Sequence, residues 1–441
     1  MKRMIALVLT LAAAVSIALA ESSHKGISIN GRLNCPYISV NGGKVYLQVT
    51  VAAPWLESPR RQPLNLSVVL DRSGSMADEA KIDYAKKALY TLIDQLRNDD
   101  ILSIVIYDNV IQVLRPAQKV RDKRELKRLV ERVYPRGTTN LGGGMLAGLR
   151  QVECNLDKEY VNRVILLSDG LANQGITDPS ELRRIARRYR ARSISLTTMG
   201  VGLDFNENLM VGLAESGGGN YYFIESPHTL ASIFRKEFNL LSCVAAQNAS
   251  IQLTPGTGVR LLDVIGYEYR KEGARYVIPL GDLYSNERRE LTVELEVPEG
   301  AGTLTVARGV LRYEARLSWF ERWPSFTARA HYTNDVVVID KNRDLETQAK
   351  ADVAVSTRSV EHAMKALDEG RPEEAAERMK GAEMSISASP AVTSAGAAGA
   401  ALREQKLKLQ SYESILRDSS DTRRAKKSIQ YDNYRTQKQR H

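Results

Sequence analysis

Val69-Leu70-Asp71-Arg72-Ser73-Gly74-Ser75-Met76 is the stretch on which the fold turns. An apolar run over residues 66–70 ends on a carboxylate, and a turn carrying two hydroxyls follows before a helical pattern begins. Short, uninterrupted apolar runs bounded by turn residues suit strands of a parallel sheet that is covered on both faces. After the turn, Ile82, Ala85, Leu89, Leu92, Ile93 and Leu96 recur at helical spacing and predict one buried helix face. Further strands are expected at 101–107, 164–167, 193–199 and 221–224, alternating with amphipathic helical stretches. Residues 110–114 follow their predecessor too closely for a crossover, so an antiparallel edge strand joined through Asp108-Asn109 is predicted there. The expected class is α/β: a doubly wound, mostly parallel six-stranded sheet with helices on both faces.

Asp71, Ser73 and Ser75 fall at the carboxyl end of their strand, where open α/β sheets bind ligands. Two later segments converge on the same rim. Thr139 sits in Gly137-Thr138-Thr139-Asn140-Leu141-Gly142 before a helix, with Thr138 as the alternative threonine; Asp169 closes a strand in Leu166-Leu167-Ser168-Asp169-Gly170. Asp and Ser at such turns also serve as helix N-caps, and the joint placement of five oxygen-bearing side chains favours a metal site. The set holds hydroxyls and carboxylates with no sulfur or imidazole, a chemistry that selects Mg²⁺, or Mn²⁺ or Ca²⁺, over zinc. If the hydroxyls bind directly and the carboxylates act largely through water, the ion keeps its electrophilicity and a partner's Asp or Glu can fill its open position.

Through these three motifs, residues 64–241 resemble the von Willebrand factor A (VWA) family, in particular an exported bacterial branch. That branch is similar to the A-type domains of inter-α-trypsin inhibitor heavy chains and calcium-activated chloride channel regulators. The resemblance implies sheet order 3-2-1-4-5-6 and a metal-ion-dependent adhesion site at Asp71, Ser73, Ser75, Thr139 and Asp169. It also implies Mg²⁺ or Mn²⁺ there, and capture of an acidic residue from a partner. The chain departs from the channel regulators in lacking a His-Glu-x-x-His motif, so channel activity finds no support.

Outside this block the hydrophobic period changes to two. Val45, Leu47, Val49 and Val51 alternate with polar residues before it, and Leu291, Val293, Leu295 and Val297 do so after it. A small sandwich with the A-type domain inserted is expected, built from 21–63 and 244–334 around 64–243. From 335 to 421 a helical region is predicted: a hairpin broken at Gly370-Arg371-Pro372, a linker over 385–399 and a last helix over 400–417. Residues 422–441 read as a basic, disordered tail.

The charge of +10 at first suggests nucleic acid. Residues 422–441, however, hold seven Lys and Arg against one Asp, and the body is close to neutral. Residues 1–20, with Lys2, Arg3, an apolar run and Ala18-Leu19-Ala20, read as a signal peptide cleaved after Ala20. A secreted or periplasmic location follows, with acidic proteins or an anionic envelope surface as partners rather than nucleic acid. Cys35, Cys154 and Cys243 permit one disulfide; Cys35–Cys243 would tie the ends of the A-type domain, with Cys154 free. Neither serine of the rim sits in a Gly-x-Ser-x-Gly elbow, and the five histidines accompany no nucleophile motif. The sequence therefore favours a non-enzymatic binding module over a hydrolase, with a scaffold acting through the helical and basic carboxy-terminal region as the alternative.

Overall fold

The computed structural model describes residues 26–56, 61–315, 323–418 and 422–438. The expected signal peptide, 1–20, lies outside them. Among the described residues no helix is long and apolar enough to cross a membrane.

The chain opens with β1 (Ser28–Leu33), β2 (Tyr37–Ser39) and β3 (Gly43–Ala52). It then enters the A-type block: β4 (Leu64–Asp71), α1 (Lys81–Gln95), β5 (Ile101–Tyr107), β6 (Ile111–Lys119), α2 (Lys123–Glu131) and α3 (Leu141–Glu153). The block is completed by β7 (Val161–Ser168), α4 (Pro179–Arg190), β8 (Ser195–Val201), α5 (Glu207–Gly217), β9 (Gly218–Ile224) and α6 (Leu230–Ser242). The six strands form one sheet in the order β6-β5-β4-β7-β8-β9, parallel except for β6, which is 3-2-1-4-5-6 within the block. β4, β5, β7 and β8 are buried along their whole length, which is why they carry apolar stretches such as 68–70, 104–106 and 164–167 instead of a strict alternation with polar residues. Neighbouring side chains point to opposite faces. Thus Val68 and Leu70 enter a core with Leu89, Leu92 and Phe234, while Val69 enters a second core with Met145, Leu149 and Leu213. Each such side chain contributes roughly 1.5–3 kcal/mol when fully buried. Asp122, Asn140, Asp178 and Asn206 cap α2, α3, α4 and α5 by accepting backbone N–H groups of the first turn, which fixes where these helices start.

After α6 come β10 (Val244–Pro255), β11 (Arg260–Val264), β12 (Arg270–Glu272), β13 (Arg275–Tyr284), β14 (Arg288–Val297), β15 (Thr303–Ala315) and β16 (Ser325–Thr333). They join the first three strands in a sheet β1-β3-β14-β11 and a sheet β12-β13-β10-β15-β16-β2 around one shared core. β3 and β14 are antiparallel neighbours, with Val49 opposite Leu291 and Leu47 opposite Val293. The two alternating segments of the sequence therefore meet, and the A-type domain is inserted between strands of a single sandwich. A buried polar network joins the two bodies: Arg163 on β7, fully enclosed, donates to Asp282 on β13 at 2.7 Å and to Thr197 at 3.0 Å.

The remainder is helical: α7 (Val336–Lys341), α8 (Leu345–Asp368), α9 (Pro372–Ser387), α10 (Ala397–Asp418) and α11 (Thr422–Lys438). α8 covers the outer face of the β3-β14 sheet, pairing Lys350 with Glu290 and Arg358 with Glu294. α9 runs on to Ser387 and α10 begins at Ala397, so the expected linker shrinks to the residues between them.

Two expectations are overturned. The basic tail is a docked helix rather than a disordered segment. Its charge run conceals an apolar and aromatic face: Ile429 enters the helical core, and the Tyr431 and Tyr434 rings stand edge-on to Tyr221 at 5.8 and 5.5 Å. Its cations meet acceptors within the chain, Arg423 at Asp204, Arg424 at Glu225, Lys426 at Asp368 and Lys438 at Glu215. That leaves little free charge for an anionic envelope surface. The Cys35–Cys243 bridge is also absent; all three cysteines are free thiols. Asn34, beside Cys35, bonds Tyr46 near the start of β3, whereas Cys243 bonds Ser285 next to Asn286, which reaches Pro54 beyond the far end of β3. At about 3.3 Å per strand residue these ends lie more than 20 Å apart, and a disulfide needs Cα atoms within about 7 Å.

Candidate metal centre

The rim site begins with where the backbone leaves β4. Asp71 is fully buried; its Oδ1 accepts the Ser73 N–H at 2.8 Å and its Oδ2 accepts the Ser168 hydroxyl at 2.8 Å. Burial pushes the Asp71 carboxyl up to about 6 against the pull of the Ser73 donors, and the neighbouring Asp169 charge adds to the rise. An ionised Asp71 therefore calls for a cation.

The turn is fixed from both sides. Arg72 N–H donates to Tyr107 O, Arg136 N–H to Arg72 O, and Gly74 N–H to Gly137 O. Ser73 caps no helix through its side chain. Its hydroxyl instead lies 3.2 Å from that of Ser75, which donates to Asp169 Oδ1 at 2.9 Å; the Ser73 hydroxyl lies 3.5 Å from the same oxygen. Thr139 is likewise spared a capping role, because Asn140 caps α3. Asn173 clamps the Thr139 backbone, accepting its N–H and donating to its carbonyl. The Thr139 hydroxyl stands over Gly170, where an added Cβ would meet it at 3.0 Å.

The structure thus brings Asp71, Ser73, Ser75 and Asp169 into one hydrogen-bonded group, with Thr139 facing it across Gly170. Two carboxylates and three hydroxyls fit a hard divalent ion. Among the described residues no group of three or more His, Cys, Asp and Glu gathers as a softer metal would need.

The motifs did not reveal two supporting residues. Ser168 holds Asp71, and Lys81, 3% exposed, donates to Asp169 Oδ2 at 2.9 Å. A signal for Lys81 was present: it lies four, seven and eleven residues before Ala85, Ala88 and Leu92, all on the buried face of α1.

Sheet order, edge-strand reversal and rim constellation define the class. Residues 65–236 match the family model of the von Willebrand factor type A domain. Domains of the family are generally metal-dependent protein-interaction modules and typically non-enzymatic. Similar proteins include the uncharacterized protein sll0103 of Synechocystis, 29% identical over 260 residues, which cover 56% of this chain and 61% of that one. YfbK of Escherichia coli is 28% identical over 262 residues, 58% of this chain and 45% of YfbK. Human inter-alpha-trypsin inhibitor heavy chain H2 is 27% identical over 205 residues, 45% of this chain and 22% of its own length. The chain therefore spans less than two thirds of each of these relatives. A solved von Willebrand factor type A protein from Catenulispora acidiphila superposes over 95% of this chain and 98% of its own, with TM-score 0.71 and 16% identity. The ArnB paralog VWA2 from Sulfolobus acidocaldarius covers 93% and 99%, with TM-score 0.61 and 18% identity. The whole arrangement of inserted domain, sandwich and helices therefore recurs as a fold.

Proposed function

We propose that this chain is a non-enzymatic, exported protein-binding module that holds a divalent ion at Asp71, Ser73, Ser75, Thr139 and Asp169 and captures an acidic residue of a partner protein. The observation that carries this reading is the freeing of Ser73 and Thr139 from helix capping, with the hydroxyls of Ser73 and Ser75 gathered at Asp169. Mg²⁺ suits such a set, with Mn²⁺ or Ca²⁺ as substitutes. When bound, the ion would supply a Lewis-acidic position for a carboxylate. The chain's own part is to hold the two serines in a turn pinned to Gly137, keep Asp71 oriented through Ser168, and shield the inner side of the site from water.

Leu171, two residues after Asp169 and 54% exposed, offers apolar surface beside the rim for a protein partner. The absence of catalysis is supported by the serines' company: each bonds the other and Asp169, while His228 packs on Tyr84 and His331 meets Thr303. Export rests on residues 1–20 and places the partner in the periplasm or outside the cell. The test is affinity capture from an envelope fraction with Mg²⁺, with EDTA, and with a folded Asp71→Ala bait. A partner retained equally in all three would sink the metal-dependent part of the proposal. Finding the signal segment uncleaved in cytosolic protein would sink the location.

A further inference from the structure

The Asp169 carboxylate is used on two sides. Oδ1 meets the Ser75 hydroxyl at 2.9 Å, and Oδ2 receives the Lys81 ammonium at 2.9 Å, with both ends of that ion pair buried. The fold makes deliberate room for this lysine. Gly202, at φ +72 just after β8, leaves open the space in which a Cβ would come within 3.1 Å of Lys81 Cε and 3.3 Å of Nζ. On the other side, Glu79 and Ala80 both hold positive φ, 51° and 54°, immediately before Lys81. Two successive non-glycine residues in that region are costly. Here they set the start of α1 so that its first side chain turns inward.

A buried ammonium on a carboxylate of a divalent site has two electrostatic consequences. It repels the incoming ion, so metal binds more weakly than two carboxylates alone would allow. It also leaves the filled site with a net positive charge, because two carboxylates offset the ion and the lysine remains. With an uncharged residue in its place the filled site would be neutral.

Resting on the metal-site reading above, we propose that Lys81 is a positioning and charge-setting residue of this centre. It holds Oδ2 of Asp169 so that Oδ1 faces the serines, and it trades divalent-ion affinity for capture of an anionic group at the open position. A single charge a few ångströms from a divalent ion is worth about tenfold in affinity even when well screened, and it acts on ion and anion in opposite directions.

The test compares the full chain with Lys81→Gln, which keeps an N–H donor for Asp169 but no charge, and with Lys81→Arg, which keeps the charge. Mg²⁺ affinity is read by calorimetry. Anion binding is read by acetate titration of the Mn²⁺-loaded protein, followed through water-proton relaxation. Lys81→Gln should bind Mg²⁺ about tenfold tighter and acetate about tenfold more weakly, and Lys81→Arg should stay within about threefold of the parent on both. A merely structural lysine would weaken or leave unchanged both affinities in Lys81→Gln, and that overturns the proposal while the metal site stands. Mg²⁺ binding by Lys81→Gln but not by the parent supports it in its strongest form. Mg²⁺ binding by neither overturns this proposal and the metal-site reading together.

Discussion

Replacing Arg163 with Met removes the cation from the network joining the A-type domain to the sandwich, and its cost follows from who is left behind. Glu237 loses a 3.7 Å ion pair but keeps Thr197, Asn220 and Tyr222 as donors at 2.6–2.8 Å. Asp282 is worse placed: without the 2.7 Å guanidinium bond, its hydrogen bonding among the described residues falls to a 3.4 Å contact from Asn248 N–H, beside the longer-range attraction of Arg190. Stripping one partner from a buried pair costs about 3–5 kcal/mol, so we expect Arg163→Met to lose about 4 kcal/mol, chiefly at Asp282. Neutralising that residue should return about half, giving Arg163→Met/Asp282→Asn a loss of about 2 kcal/mol, smaller than that of Arg163→Met alone. Native-state hydrogen exchange is the suitable assay in a chain of several bodies, because it localises the opening. Amides of β7 and β13 should exchange about a thousandfold faster in Arg163→Met, those of α9 unchanged. A loss below about 1 kcal/mol, or no recovery in the double variant, would refute the assignment of the cost to an orphaned Asp282.

Other consequences are as direct. Ala80→Gly relieves a left-handed alanine on an exposed turn, and should raise stability by about 0.5–1 kcal/mol, seen as a slightly higher urea midpoint. Native protein titrated with a thiol reagent should react first at exposed Cys154, with buried Cys35 reacting only on unfolding, and reductant should leave the melting temperature unchanged. Burial holds the Glu207 carboxyl above its ordinary range, with Lys427 of α11 pulling the other way. A raised carboxyl contributes its stability below the unfolded pKa of about 4.3 and loses it as pH rises toward neutrality. The melting temperature of the parent should therefore fall relative to Glu207→Gln across that interval, and a constant difference would contradict this.

The sheet was legible because its strands are buried on both faces and bounded by turns, so that 66–70 and 164–167 announced themselves as apolar runs. The rim site was legible because Asp71, Ser73, Ser75, Thr139 and Asp169 each follow a strand or precede a helix in fixed order. Lys81 stayed hidden because a lysine reads as a solvated side chain even where its spacing sets it on the buried face of α1, and its partner Asp169 comes from a distant strand. The tail misled for a related reason. Seven cations over twenty residues suggest repulsion and disorder, but their counter-charges Asp204, Glu225, Asp368 and Glu215 come from distant segments that no local reading joins to it. The cysteine expectation assumed that the sandwich leaves Cys35 near the insertion point, whereas β3 carries the chain away from it.

Insertion of the A-type domain between β3 and β14 sets an order of events during synthesis. β3 emerges with alternating valines and leucine and no neighbour for one edge until β14 is made, more than two hundred residues later. In that interval the inserted domain has every strand it needs and can close on its own, bringing Arg61 and Ser242 at its two ends together as a finished hinge pin rather than a floppy loop. Mutations that slow the A-type domain should therefore show their damage as aggregation through the waiting sandwich strands, at a distance from the altered residue.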